Sequence, residues 1–155
     1  MKEIPLTQGK VAIVDDEDFE LLSKHKWYYN IGYAVRTELC SEKQKTIKMH
    51  RAIMNIPSGL EIDHINSNGL DNRRTNLRAC SHTENGKNQK RNVVNVSGYK
   101  GVSWHKGANK WQAKIVTNEK SKYLGLFDSP IDAAHAYDKA AIELHGVFAR
   151  LNFEV

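Results

Sequence analysis

The sequence predicts an α+β protein assembled from small units rather than one large core. Three observations carry that prediction. Residues 60–88 read as strand, polar loop, strand and helix, and residues 99–146 read as three strands followed by one helix. Charge divides along the chain as well. Residues 98–122 hold six lysines against one acid, and residues 123–155 hold two basic residues against five acids. The whole chain carries a formal net charge of +5 over 155 residues, which suits one to two small domains with a polyanionic partner.

Composition excludes several classes. Cys40 and Cys80 are the only cysteines and form no CxxC pair, which argues against a disulfide scaffold and a four-cysteine zinc ribbon. The expected setting is reducing and intracellular. No apolar run approaches the roughly 20 residues of a membrane span, and the first residues lack a signal-peptide core.

Residues 1–48 balance eight basic against eight acidic residues and read as a supporting α/β lead-in. Lys10–Val14 is a strand. Asp15-Asp16-Glu17-Asp18 opens a short helix, with acids at its positive end. Trp27-Tyr28-Tyr29 and Tyr33-Ala34-Val35 are strands around the turn Asn30-Ile31-Gly32. His50–Met54 is a short helix that stops near Pro57. Its His50 is read as a packing or hydrogen-bonding residue.

The stretch 49–90 organises the chain. Leu60 and Ile62 lead a strand that delivers Asp63 and His64 to a surface. Asn68-Gly69 and Asp71-Asn72 are loop dipeptides. Asn76-Leu77-Arg78-Ala79-Cys80 returns as a second strand. Ser81 caps a helix with Glu84 at its third position. Asn76 stands 13 positions past Asp63, and Asn85 stands nine further, one turn inside the helix. Regular strand alternation sends Asp63 and His64 to opposite faces, so using both on one phosphate requires a twist or bulge there.

Asp63-His64, Asp71-Asn72-Arg73, Asn76-Leu77-Arg78 and Asn85 together resemble the HNH nucleases, over roughly residues 48–90. The resemblance implies a ββα-metal unit that hydrolyses phosphodiester bonds. It makes His64 the general base and Asn76 the catalytic partner that holds the imidazole by a hydrogen bond. Asp63 and Asn85 become oxygen ligands of one divalent cation. Such a weak, hard donor pair suits Mg²⁺ or Mn²⁺, and no structural zinc is expected. Asn85 stands where many members carry His, giving the His-Asn-Asn variant of homing enzymes. His82 is a rival ligand on the same helix face. Arg73 and Arg74 are candidate phosphate contacts. Residues 91–98 read as a linker, and Lys87, Lys90 and Arg91 suit a strap along a phosphate backbone.

In residues 99–155, Tyr99–Trp104, Lys110–Ile115 and Tyr123–Phe127 are strands. Ser129-Pro130-Ile131-Asp132 starts a helix that Gly146 ends. Tyr99, Gly101-Val102, Trp111, Ala113, Leu124-Gly125, Ala136-Tyr137-Asp138 and Leu151-Asn152-Phe153 resemble the Apetala/ethylene-response-factor DNA-binding domain. In that family the sheet lies in the DNA major groove. Alternation sets Gln112, Lys114 and Val116 on one face, with Trp111, Ala113 and Ile115 against the helix. The candidate contacts are Lys100, Ser103, His105, Lys110, Lys114 and Lys122. Plant members use arginines here and this chain has none, so their target sequence does not carry over.

The combined expectation is a homing-type endonuclease acting on double-stranded DNA, as a monomer or a homodimer on its site. It would work in the cytoplasm of a prokaryotic or phage-infected cell. A DNA-binding regulator with a silent nuclease scaffold is the alternative. An RNA enzyme fits less well, because a sheet cannot enter the narrow major groove of A-form RNA.

Overall fold

The fold was analysed in a computed structural model that describes residues 1–40, 43–89, 95–117 and 120–153. Lys90 and Arg91 lie outside the described residues. The chain forms two compact units, Met1–His82 and Thr83–Val155.

The first unit opens with a hairpin, β1 (Lys2–Pro5) and β2 (Val11–Val14), then α1 (Asp16–Ser23). Next come β3 (Tyr28–Asn30), β4 (Tyr33–Cys40) and β5 (Lys43–Lys48), paired antiparallel in the order β3-β4-β5. α2 (Met49–Met54) leads to the two-stranded ribbon of β6 (Glu61–His64) and β7 (Leu77–Cys80). α3 (His82–Lys87) follows, and the unit boundary falls after its first residue. The predicted strand, helix and ribbon order is therefore present. β1 and β5 are additions, because their mostly exposed sequences carry no apolar period.

The division between a lead-in and a core does not appear in the packing. One apolar cluster contains Ile4, Val14, Leu22, Trp27 and Ala34 together with Met49, Ile53, Ile62 and Leu77. Leu22 and Met49 are fully buried, and each such side chain stabilises by about 1.5–3 kcal/mol. Backbone bonds tie the two stretches directly. Ile13 N–H donates to Leu70 O at 2.8 Å, and Asn72 N–H donates to Ile13 O at 2.8 Å. The N-terminal hairpin thus braces the loop between β6 and β7. Gly69 in that loop admits no side chain: a Cβ there would lie 2.4 Å from Gly32 O and 2.7 Å from the Tyr33 ring.

The second unit holds β8 (Val102–His105), β9 (Lys110–Thr117) and β10 (Lys120–Phe127) in the order β10-β9-β8, backed by α4 (Pro130–His145). Ser129 Oγ caps α4 by accepting from Ile131 N–H. Ala133, Ala134, Ala140 and Ala141 are buried, so the helix lies close on the sheet over Val102, Ala113 and Ile115. Gly101 is required where it stands. Its φ is +75°, and a Cβ would sit 2.0 Å from the Tyr137 ring. Asp138 then clips the chain end, accepting from the Asn152 and Phe153 backbone N–H groups and the Asn152 amide.

Candidate active site and nucleic-acid interface

β6 and β7 pair without a bulge, with Asp63 opposite Arg78 and His64 opposite Leu77. Of the two expected irregularities the bulge is absent, so Asp63 and His64 leave opposite faces of a short ribbon that ends at His64. Two-stranded ribbons twist strongly, which reduces the separation of two such groups at a strand end. Immediately after His64 the chain turns: Ser67 N–H donates to His64 O, and Ile65 N–H donates to Asn76 O.

Asp63 is 6% exposed. Arg78 Nε and Nη2 both reach its Oδ2, at 2.9 and 2.6 Å. A buried carboxylate needs a counter-charge, and the facing strand supplies it. His64 is 5% exposed and packs edge-on against His50 with ring centroids 4.9 Å apart; Tyr33 lies 5.9 Å away. Burial holds the His64 imidazole below its ordinary value, opposed by the Asn72 contact and the Asp63 and Asp71 charges. The ring is therefore neutral near pH 7. His50 is pushed down to about 3, first by burial and then by the charges of His64, Lys48 and Arg51.

Asn72 is the ring's hydrogen-bond partner that sequence reasoning missed. Its Oδ1 lies 3.3 Å from His64 Nε2, and it is fully buried. The Asp-Asn dipeptide read only as a loop, because no local signal shows which side chain turns inward.

Asn76, expected to hold the imidazole, bonds within its own loop. Its Nδ2 donates to Asp71 O at 2.8 Å and Asn66 Oδ1 at 3.0 Å, and its Oδ1 accepts from Asn66 N–H. Both Nδ2 hydrogens and one lone pair of Oδ1 are thus engaged within the loop. Asn76 instead closes the loop that carries Asn72. His82 pairs with Glu61 at 2.8 Å and is an exposed strand-end contact. Asn85 lies in α3, three residues beyond His82 and within the second unit.

The two loop arginines, expected to meet phosphate, both pair with acids of the chain. Arg74 is turned onto the N-terminal acids. Its guanidinium meets Asp18 at 2.7 and 2.9 Å and Glu17 at 2.9 Å, and its backbone N–H donates to Asp15. It is an internal clamp, because buried Asp18 demands a cation. Arg73 forks onto Asp71 at 2.6 and 2.7 Å and keeps a partly exposed face. That pairing holds the Asp71 carboxyl below the usual range.

Among the described residues, no three His, Cys, Asp or Glu side chains gather as a ready-made metal site. The chemistry that is present there is one buried oxygen donor whose charge Arg78 compensates in the free protein. Asp63 is a hard oxygen donor, buried, and already balanced by one positive group.

In the second unit, register decides which side chains share the open face of the sheet. Ser103 pairs with Gln112, His105 with Lys110, and Tyr123 with Lys114. These residues, with Val116 and Leu126, stand opposite α4. Lys114 and Ser103 are exposed there as expected. His105 Nδ1 accepts from Ala108 N–H, and Lys110 makes an exposed pair with Asp128. Lys87 ends α3 half-buried, and its backbone carbonyl is engaged.

Two lysines are corrected. Lys122 pairs with Ile115, a buried residue under the helix, so it projects from the α4 side at the rim. Lys100 donates from Nζ to Lys87 O and Gln89 O, both at 2.6 Å, and burial lowers it to about 8. It is a structural cation. Tyr123 and Leu126, exposed on the open face, were absent from the candidates, since aromatic and aliphatic residues read as core.

Comparison with known proteins follows this division. An HNH endonuclease family model matches residues 55–87, and an AP2 domain model matches residues 97–146. A protein of Acanthamoeba polyphaga mimivirus whose name describes an HNH endonuclease is 31% identical over 152 residues, covering 94% of this chain and 76% of its own. Protein 3.8 of Escherichia phage T7 is 38% identical over 95 residues, 61% of this chain and 78% of its own. The AP2-like ethylene-responsive transcription factor PLT2 of Arabidopsis thaliana is 46% identical over 62 residues, 39% of this chain and 11% of its own. A relative aligned along nearly the whole chain, with both domain models in sequence, places this protein in the HNH endonuclease family, with an AP2 DNA-binding domain following the nuclease motif.

Proposed function

We propose that this chain is a homing-type endonuclease that hydrolyses phosphodiester bonds in double-stranded DNA, with His64 as general base and Asp63 as a ligand of one Mg²⁺ or Mn²⁺ ion. The observation that carries the reading is the end of β6, where a buried, cation-balanced carboxylate precedes a neutral imidazole held by a buried amide.

An amide oxygen only accepts, so the Asn72 contact favours the proton on His64 Nε2 and the lone pair on Nδ1. A neutral imidazole can take a proton from water near pH 7. His50, Tyr33 and Asn72 fix the ring's orientation, which keeps the attacking geometry constant. With 5% of its surface exposed, His64 acts only on a phosphate brought against the ribbon end. When bound, the divalent ion would stabilise charge on the departing oxygen. Asp63 would hold it, and its spacing from Asn76 would make Asn85 the second ligand. Asn76 and Asn66 keep the β6–β7 loop closed beneath the base.

The open sheet face of the AP2 domain, with Ser103, His105, Gln112, Lys114 and Tyr123, supplies the address by lying in the major groove. One site per chain nicks; two chains on one target cut both strands.

The test is incubation of supercoiled plasmid and random-sequence duplex with protein and Mg²⁺, with and without chelator. Metal-dependent cleavage that disappears in His64→Ala, with DNA binding retained, is the expected result. Full cleavage by His64→Ala overturns the base assignment. Binding of a target without any metal-dependent cleavage would make the chain a DNA-binding regulator instead.

A further inference from the structure

The Arg78 guanidinium binds one oxygen of the carboxylate that would hold the proposed ion. Arg78 and Asp63 are direct cross-strand partners, and the guanidinium Nε and Nη2 converge on the single atom Oδ2. Both side chains are largely buried, with 16% and 7% of their surface exposed, so solvent screens the pair little. A divalent cation approaching that carboxylate meets a positive charge already in place. The same group is a planar, fork-shaped donor suited to a phosphate diester.

We infer that Arg78 is a positioning residue that keeps Asp63 closed to metal until DNA arrives, when the scissile phosphate takes the guanidinium and frees Oδ2 for the ion. This rests on the nuclease reading above and adds an order of assembly: DNA first, metal second. Arg78 serves as the counter-charge of Asp63 in the free protein and as a phosphate contact in the complex. The arrangement keeps the free enzyme metal-poor and therefore inactive until DNA is bound.

The experiment is Mn²⁺ titration by electron paramagnetic resonance on the full chain. Wild type is measured alone and with a hydrolysis-resistant duplex, and Arg78→Gln and Asp63→Asn are measured alone. Removing one positive charge at ion-pair range is expected to tighten Mn²⁺ binding by Arg78→Gln about tenfold or more. Wild type gains a comparable factor on binding the duplex. Asp63→Asn binds no specific ion. The inference is overturned if wild type binds Mn²⁺ equally well with and without duplex, a measurement that needs no variant to fold. It is also overturned if folded Arg78→Gln binds Mn²⁺ no more tightly than wild type. The nuclease reading fails separately, if wild type shows no metal-dependent cleavage.

Discussion

Arg74 closes on Asp18 across 56 positions of chain, with Nη2 and Nε 2.7 and 2.9 Å from the two carboxylate oxygens. The pair fastens α1 to the base of the β6–β7 loop, beside the backbone bonds from Ile13 to Leu70 and Asn72. The amino-terminal elements therefore belong to the support of the candidate site.

Arg74→Gln is expected to leave DNA affinity and its salt dependence unchanged while lowering thermal stability and kcat. Asp18 loses its partner, at a cost of about 1–2 kcal/mol, moderated because the guanidinium is 45% exposed. A fall in the slope of log K against log salt would show instead that Arg74 meets phosphate.

Asn72→Ala removes the acceptor for His64 Nε2 and a fully buried amide. Cleavage is expected to fall about tenfold with KM little changed, the usual size for a group that orients a functional imidazole. Single-turnover rates on a duplex substrate check this. An unchanged rate would show that packing by His50 and Tyr33 alone holds the ring.

The His50 imidazole reports on acid stability. Its folded value of about 3 lies below the ordinary 6.5, so the unfolded chain binds a proton that the folded chain refuses. The stability it allows is complete above about pH 6.5. It declines as pH falls toward 3, by about 1 kcal/mol per pH unit. Urea denaturation of wild type and His50→Phe at pH 7, 5 and 4 is expected to show a smaller acid loss in the variant.

On the proposed reading, the two faces of the AP2 sheet would differ in their part in DNA binding. Lys114→Ala and Tyr123→Ala, on the open face, are expected to weaken duplex binding. Lys114→Ala should also lower the salt slope by about one. Lys122→Ala, on the α4 side opposite Ile115, is expected to leave binding unchanged. Fluorescence anisotropy at several salt concentrations distinguishes them, and equal losses for Lys114 and Lys122 would mean that only net charge matters.

Much was determined by sequence alone. The Ser129-Pro130 start and the alanine spacing define α4, and alternation along 110–117 separates Ala113 and Ile115 from Lys114 and Val116. The spacing of Asp63, His64, Asn76 and Asn85 identifies the nuclease motif. These features are local: a periodicity, a cap or a fixed interval is written in neighbouring residues. Only the tertiary structure decided what each polar side chain bonds to. Arg74 and Lys100 read as outward cations, yet one meets Asp18 and the other two backbone carbonyls. Asn72 bonds to His64 while Asn76 bonds within its own loop, and Lys122 lies on the helix side of its strand. A guanidinium or an amide has the same sequence signature whether its partner is a phosphate or a buried acid. Which it meets depends on the long-range burial that leaves Asp18 or His64 in need of one.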